Sequence, residues 1–129
     1  MPAVSIQRAF ASDLPRLKFD PDKIQKVVAN LLANALDAVG ENGQISVATA
    51  TRNGWATVSV TDNGCGMTPE FISRNLFRPF QTTKKKGIGI GMFLSKMEVE
   101  AHEGKIEVDS QPGKGTTFRV LLPIQKEPA

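Results

Sequence analysis

Residues 44–62, QISVATATRNGWATVSVTD, alternate apolar and polar side chains on both sides of Asn53-Gly54. Alternation of period two buries one face of a strand, and Asn-Gly tolerates the left-handed residues of a tight turn. The stretch predicts an antiparallel hairpin with strands over 44–51 and 55–62. Upstream, Asp20 followed by Pro21 is a helix start, a capping carboxylate before a residue whose missing N–H costs nothing there. The apolar period predicts a helix from Pro21 to Val39, stopped at Gly40. Val4 to Phe10 alternate weakly and suggest an edge strand.

Downstream of Asp62 the texture changes to glycines at 64, 66, 87, 89 and 91, with a polar, basic stretch between the two groups. A short helix is expected from Pro69 over PEFISRNLF, and a second over MFLSKMEVEAH, from Gly91 to Gly104. KIEVDS and TTFRVLLP read as two strands flanking the turn QPGKG. Hairpins dominate the connections, which predicts an α/β fold: a two-layer sandwich with a mostly antiparallel, mixed sheet and helices on one face. Repeated βαβ crossovers, the mark of a doubly wound sheet, are missing.

The chain has 129 residues, 40% hydrophobic and 22% charged, which fits one domain (1–129, core about 19–123) with one core. No apolar run approaches the roughly 18 residues of a membrane span. No signal peptide is read before the first element, and no direct membrane contact is expected. Cys65 is the only cysteine, so no internal disulfide forms and a reducing cytoplasm is expected. The net charge of +3 comes without Tyr and with one Trp, which argues against a nucleic-acid partner. The dense basic run Lys84-Lys85-Lys86 suits a small anionic ligand better.

Four segments carry chemistry. Asn30, Asn34 and Asp37 recur at i, i+4 and i+7, a polar stripe on an apolar helix that needs partners. An Asn34 amide oxygen is a hard ligand suited to Mg²⁺ beside waters and phosphate oxygens. Asn30 is placed to hold water or phosphate, and Asp37 to orient a basic partner. In VTDNGCGM, a strand ends at Asp62, whose carboxylate can accept from an exocyclic amine, while Gly64 and Gly66 let the backbone approach a flat ligand. KKKGIGIGMFLSK runs glycines into a helix N-terminus, an anion site. PGKGTTF turns at Gly113 and Gly115 into a strand beginning with Thr116. Each pattern has an ordinary structural reading when taken alone.

Together, in this order, they resemble the ATP-binding domain of bacterial sensor histidine kinases. That domain belongs to the superfamily shared with DNA gyrase B, the mismatch-repair ATPases and the large heat-shock chaperone. NLLANALDA is similar to its N box, DNGCGM to its G1 box and LFRPF to its F box. GIGIGM and GKGTTF are similar to its G2 and G3 boxes. FRPFQTTKKKGIGIGM also resembles a branch of sensor kinases associated with exosortase systems.

The resemblance implies binding of ATP and Mg²⁺, and transfer of the γ-phosphoryl group to a histidine on a separate dimerisation domain of the parent kinase. A downstream response regulator would be served through that domain, in a cytoplasmic or membrane-anchored parent. Asn34 matches the Mg²⁺ ligand, Asn30 and Asp37 the neighbouring phosphate face, and Asp62 the aspartate that pairs with the adenine amine. Thr116 matches a residue supporting that aspartate. Gly64, Gly66 and Met67 fall in the adenine-side turn, and Gly87, Gly89, Gly91 and Met92 in the phosphate loop. A lid from about Thr68 to Lys86 would bring Phe80 and Lys84 to the nucleotide, with Phe77 and Phe80 as its anchors.

ATP-hydrolysing relatives carry a Glu general base where this chain has Asn30, and an amide cannot activate water as a general base. Transfer is therefore expected over hydrolysis; a hydrolysing clamp and a non-catalytic nucleotide-binding module are the alternatives. His102, the only histidine, ends a helix and is expected to be structural. Arg78 stands where many relatives carry an acid, and Glu103 where a glycine is common; the latter is expected to matter only structurally.

Overall fold

The computed structural model describes residues 4–11, 19–78 and 91–124. The elements run β1 (Ser5–Ala9), α1 (Pro21–Ala38), β2 (Gln44–Arg52), β3 (Trp55–Asp62), α2 (Pro69–Arg74), α3 (Gly91–Ala101), β4 (Lys105–Gln111) and β5 (Gly115–Pro123). The expected two-layer sandwich is the architecture found. Among the described residues, five strands form one sheet in the order β1-β2-β3-β5-β4, with α1 and α3 packed on one face.

The β2–β3 hairpin closes with Arg52 opposite Trp55. Asn53 and Gly54 both adopt positive φ, 51° and 85°, as a two-residue turn matched to strand twist requires. β1 pairs with β2 in parallel, Ser5 beside Gln44, and supplies the mixed character of a sheet that is otherwise antiparallel. β4 and β5 form the second hairpin, and β5 lies between β4 and β3.

α1 starts as the sequence predicts, with the Asp20 side chain accepting from the N–H groups of Asp22 and Lys23 and Pro21 next to it. Its end differs. Val39 turns extended and its N–H reaches Ala35 O, so the expected glycine stop is not a left-handed Gly40; positive φ falls instead on Asn42. Val39 packs against the core.

Ile24, Val27, Leu31 and Ala35 on α1 meet Ile45, Val47 and Val60 of the sheet. Phe118, Val120 and Leu122 of β5 and Met92 and Val99 of α3 complete the layer. Leu31, Val99 and Val120 are wholly inaccessible, and burial of such side chains is worth about 1.5–3 kcal/mol each.

Candidate functional site

Register builds the centre of the site. Asp62 of β3 lies opposite Thr116 of β5, and Thr116 lies opposite Ser110 of β4. The three side chains form one rung across the sheet. Asp62 and Thr116 are each only 6% exposed. Burial disfavours the charged carboxylate and pushes the pKa of Asp62 above its ordinary value, while backbone hydrogen bonding from Gly64 and Thr116 works against the rise. One carboxylate oxygen accepts from the Gly64 N–H at 2.8 Å.

The glycines here are needed for close approach. A Cβ on Gly64 would lie 2.5 Å from Ala38 O, and one on Gly66 2.0 Å from Gln111 O. Gly66 and Gly115 also take positive φ, 73° and 108°. The turn after β3 is thereby pressed between the end of α1 and the β4–β5 hairpin, tied by Cys65 N–H to Ala38 O and by Gly113 N–H to Cys65 O.

On the α1 side, the Asn30 amide donates to Ser95 Oγ at 3.0 Å, with Met92 Sδ at 3.8 Å. Gly91 opens α3 directly over it: a Cβ there would lie 2.7 Å from Asn30 Oδ1. The polar stripe is therefore partnered by α3 at Asn30. Asn34 is half-buried one turn on, and Asp37 is exposed; both are engaged in interactions.

α2 begins with Thr68 capping the Phe71 N–H. Leu76 is buried, and Phe71, Ile72 and Phe77 pack against the core, so the first part of the expected lid is anchored. Lys96 Nζ lies 5.0 Å from the centre of the Phe77 ring. Phe80, Lys84, Gly87 and Gly89 lie outside the described residues.

His102 sits away from this rung and is fully used. Its Nε2 accepts from the Asp20 N–H at 3.0 Å, so the proton belongs on Nδ1, which faces Glu98 O at 2.9 Å. It ties the end of α3 to the start of α1.

Ser110 and Ser95 were not singled out from the sequence. Nothing local marks a serine in a strand or helix; the signal lies in which residues the register and the helix pair place opposite them.

A family model described as "Histidine kinase-, DNA gyrase B-, and HSP90-like ATPase" matches residues 19–126. The sensor histidine kinase ZraS of Escherichia coli K12 is 40% identical over 121 residues, 92% of this chain and 26% of that protein. Sporulation kinase E of Bacillus subtilis is 36% identical over 124 residues, 95% of this chain and 17% of that one. The chain thus spans about a quarter or less of these curated relatives. Among solved structures, the catalytic domain of histidine kinase ThkA superposes with a TM-score of 0.82 at 30% identity, covering 94% of this chain and 79% of that one. Full-length ShkA in complex with AMPPNP gives 0.84 at 26% identity, covering 98% and 27%. The chain belongs to the family of histidine kinase-, DNA gyrase B- and HSP90-like ATPases, as a catalytic-type domain of the sensor histidine kinase group.

Proposed function

We propose that this chain binds Mg-ATP and donates the γ-phosphoryl group to a histidine on a separate dimerisation domain of a parent sensor kinase. The observation that most supports this is the rung at Asp62: a buried carboxylate at a strand end, under a glycine turn with no room for side chains. Asp62 accepts from the adenine amine, and Thr116 supports the base edge. Gly64, Gly66 and Met67 form the wall along the base. Gly91 and Met92 bring the N-terminus of α3, whose first-turn N–H groups have no acceptor within the helix, over the phosphates. Gly87, Gly89, Phe80 and Lys84 belong to the same proposal.

Mg²⁺ fits the donors present. Among the described residues no three His, Cys, Asp or Glu side chains cluster to hold a metal. A cation at this face would take its ligands from phosphate, water and the Asn34 amide, the set Mg²⁺ accepts. Bound there, the metal would neutralise charge on the phosphates. Asn30 holds the chain's own amide against α3 and cannot act as a general base. Phosphoryl transfer then depends on positioning the acceptor in line. His102 has both ring nitrogens committed to backbone groups, which fits a structural residue and not an acceptor.

The chain given Mg-ATP alone should bind it and turn it over very slowly. Supplying the parent's dimerising domain in trans should produce acid-labile phosphate on that domain's histidine. Brisk hydrolysis by the chain alone, or phosphate on His102, would overturn the reading.

A further inference from the structure

We propose that Ser95 is a positioning residue for the triphosphate: its hydroxyl ties Asn30 to α3 and so sets how the two helices of the phosphate face stand against each other. The proposal rests on the assignment of Asn30 and Asn34 on α1, and of the N-terminus of α3, to phosphate and Mg²⁺. The buried residues of α3 are Met92, Ser95 and Val99. Met92 and Val99 are apolar; Ser95, at 5% exposure, is the polar exception. A hydroxyl in such a place costs free energy unless it is bonded. Its partner is the Asn30 amide on α1, 3.0 Å away. An amide and a hydroxyl can each donate and accept, so the bond stands whichever of them supplies the proton.

The same amide is enclosed by the start of α3. Met92 Sδ lies 3.8 Å from its nitrogen, and a Cβ on Gly91 would lie 2.7 Å from Oδ1 and 2.8 Å from Nδ2. The other buried side chains of the two helices are apolar: Ile24, Val27, Leu31 and Ala35 on α1, Met92 and Val99 on α3. Apolar contact is non-directional, whereas a hydrogen bond prescribes both distance and angle. The Asn30–Ser95 pair is therefore the contact that fixes the register of one helix on the other. Asn34, one turn along α1, takes its place relative to the start of α3 from that pair. Asp62 and Thr116 stand on the sheet, so recognition of the base does not pass through it.

The test follows binding of Mg-ATP and of adenosine to the chain by NMR titration, which reads weak binding and shows whether each variant is folded. In Ser95→Ala the affinity for Mg-ATP should fall about 3- to 10-fold, one hydrogen bond's worth of positioning. Affinity for adenosine should stay as in wild type, a split that a general loosening of the fold would not give. In an Asn30→Ala background, Ser95→Ala should cause no further loss, because it acts through Asn30. Unchanged Mg-ATP affinity in folded Ser95→Ala, an equal loss for adenosine, or an equal loss in the Asn30→Ala background would overturn the role of Ser95 while leaving the phosphate face intact. Should Ser95→Ala not fold, Ser95→Cys, whose thiol is a weak hydrogen-bonding group, takes its place with the same expectation. If wild type binds Mg-ATP no more tightly than adenosine, the assignment of the phosphate face itself fails and takes this proposal with it.

Discussion

Burial makes the Asp62 carboxylate costly to ionise in the fold, yet the proposed pairing with a base amine needs it ionised. Because its folded pKa is raised, the folded state holds a proton more tightly than the unfolded chain does. Stability from this group is therefore complete below its ordinary value of 3.8 and is lost as pH rises through the raised folded value. Unfolding of wild type and Asp62→Asn, followed by denaturant at several pH values, should show wild type gaining on the variant as pH falls; a flat difference would contradict this. At neutral pH, Asp62→Asn should bind an ATP analogue about 10- to 100-fold more weakly, through loss of a charge-assisted hydrogen bond. Asn34→Ala should flatten the Mg²⁺ dependence of triphosphate binding while leaving adenosine contacts in place. A variant that gains as much from Mg²⁺ as wild type would place the ligand elsewhere. Asp62 and Thr116 could be singled out as candidates because a carboxylate or hydroxyl beside glycines is a recognisable pattern, whereas Ser110 joins them only when β4 pairs with β5.

At the scale of elements, the end of α3 breaks a local rule. Gly104 N–H reaches Val99 O and Glu103 N–H reaches Glu100 O, the paired bonds of a helix end whose penultimate residue is left-handed. That residue is Glu103, at φ 61°, where glycine costs less. The expectation that Glu103 is structural becomes specific: Glu103→Gly should raise thermal stability, by about 1 kcal/mol, and leave nucleotide affinity alone. Gly104 has no such freedom, since a Cβ there would lie 2.3 Å from Leu121 O. A few residues away, His102→Ala should cost about 1 kcal/mol in denaturant unfolding by cutting the bridge from α3 to Asp20. Unchanged stability would mean that water replaces the ring without loss. The hairpin turn and the start of α1 were readable because Asn53-Gly54 and Asp20-Pro21 decide their conformation locally. The end of α1 also fell within one residue of its expected place, with Ala38 the last helical residue and Val39 its cap.

For the whole molecule, the class of sheet followed from its hairpins, but the strand order did not. The parallel pairing of β1 with β2 and the entry of β5 between β3 and β4 depend on contacts between residues far apart in the chain. Thr116 reaches Asp62 across more than fifty positions of sequence. The site rung and the hydrophobic layer both rely on that insertion, since Phe118, Val120 and Leu122 enter the core from the strand that carries Thr116. The proposed binding site and the core therefore share one late-arriving strand.

That insertion has a consequence for synthesis. A chain leaving the ribosome exposes β1, β2 and β3 long before β5 is made, and β3 then presents an unpaired edge of Val58, Ser59, Val60 and Thr61, the kind of edge on which chains aggregate. Stalled nascent chains ending before Gly115 should remain open to protease, and resistance should appear only once Pro123 has cleared the exit tunnel. Early resistance would mean that the first three strands and α1 form a stable unit without their central partner. Otherwise the edge of β3 stays uncovered until β5 is made, and Thr116 of the proposed base site arrives with that strand.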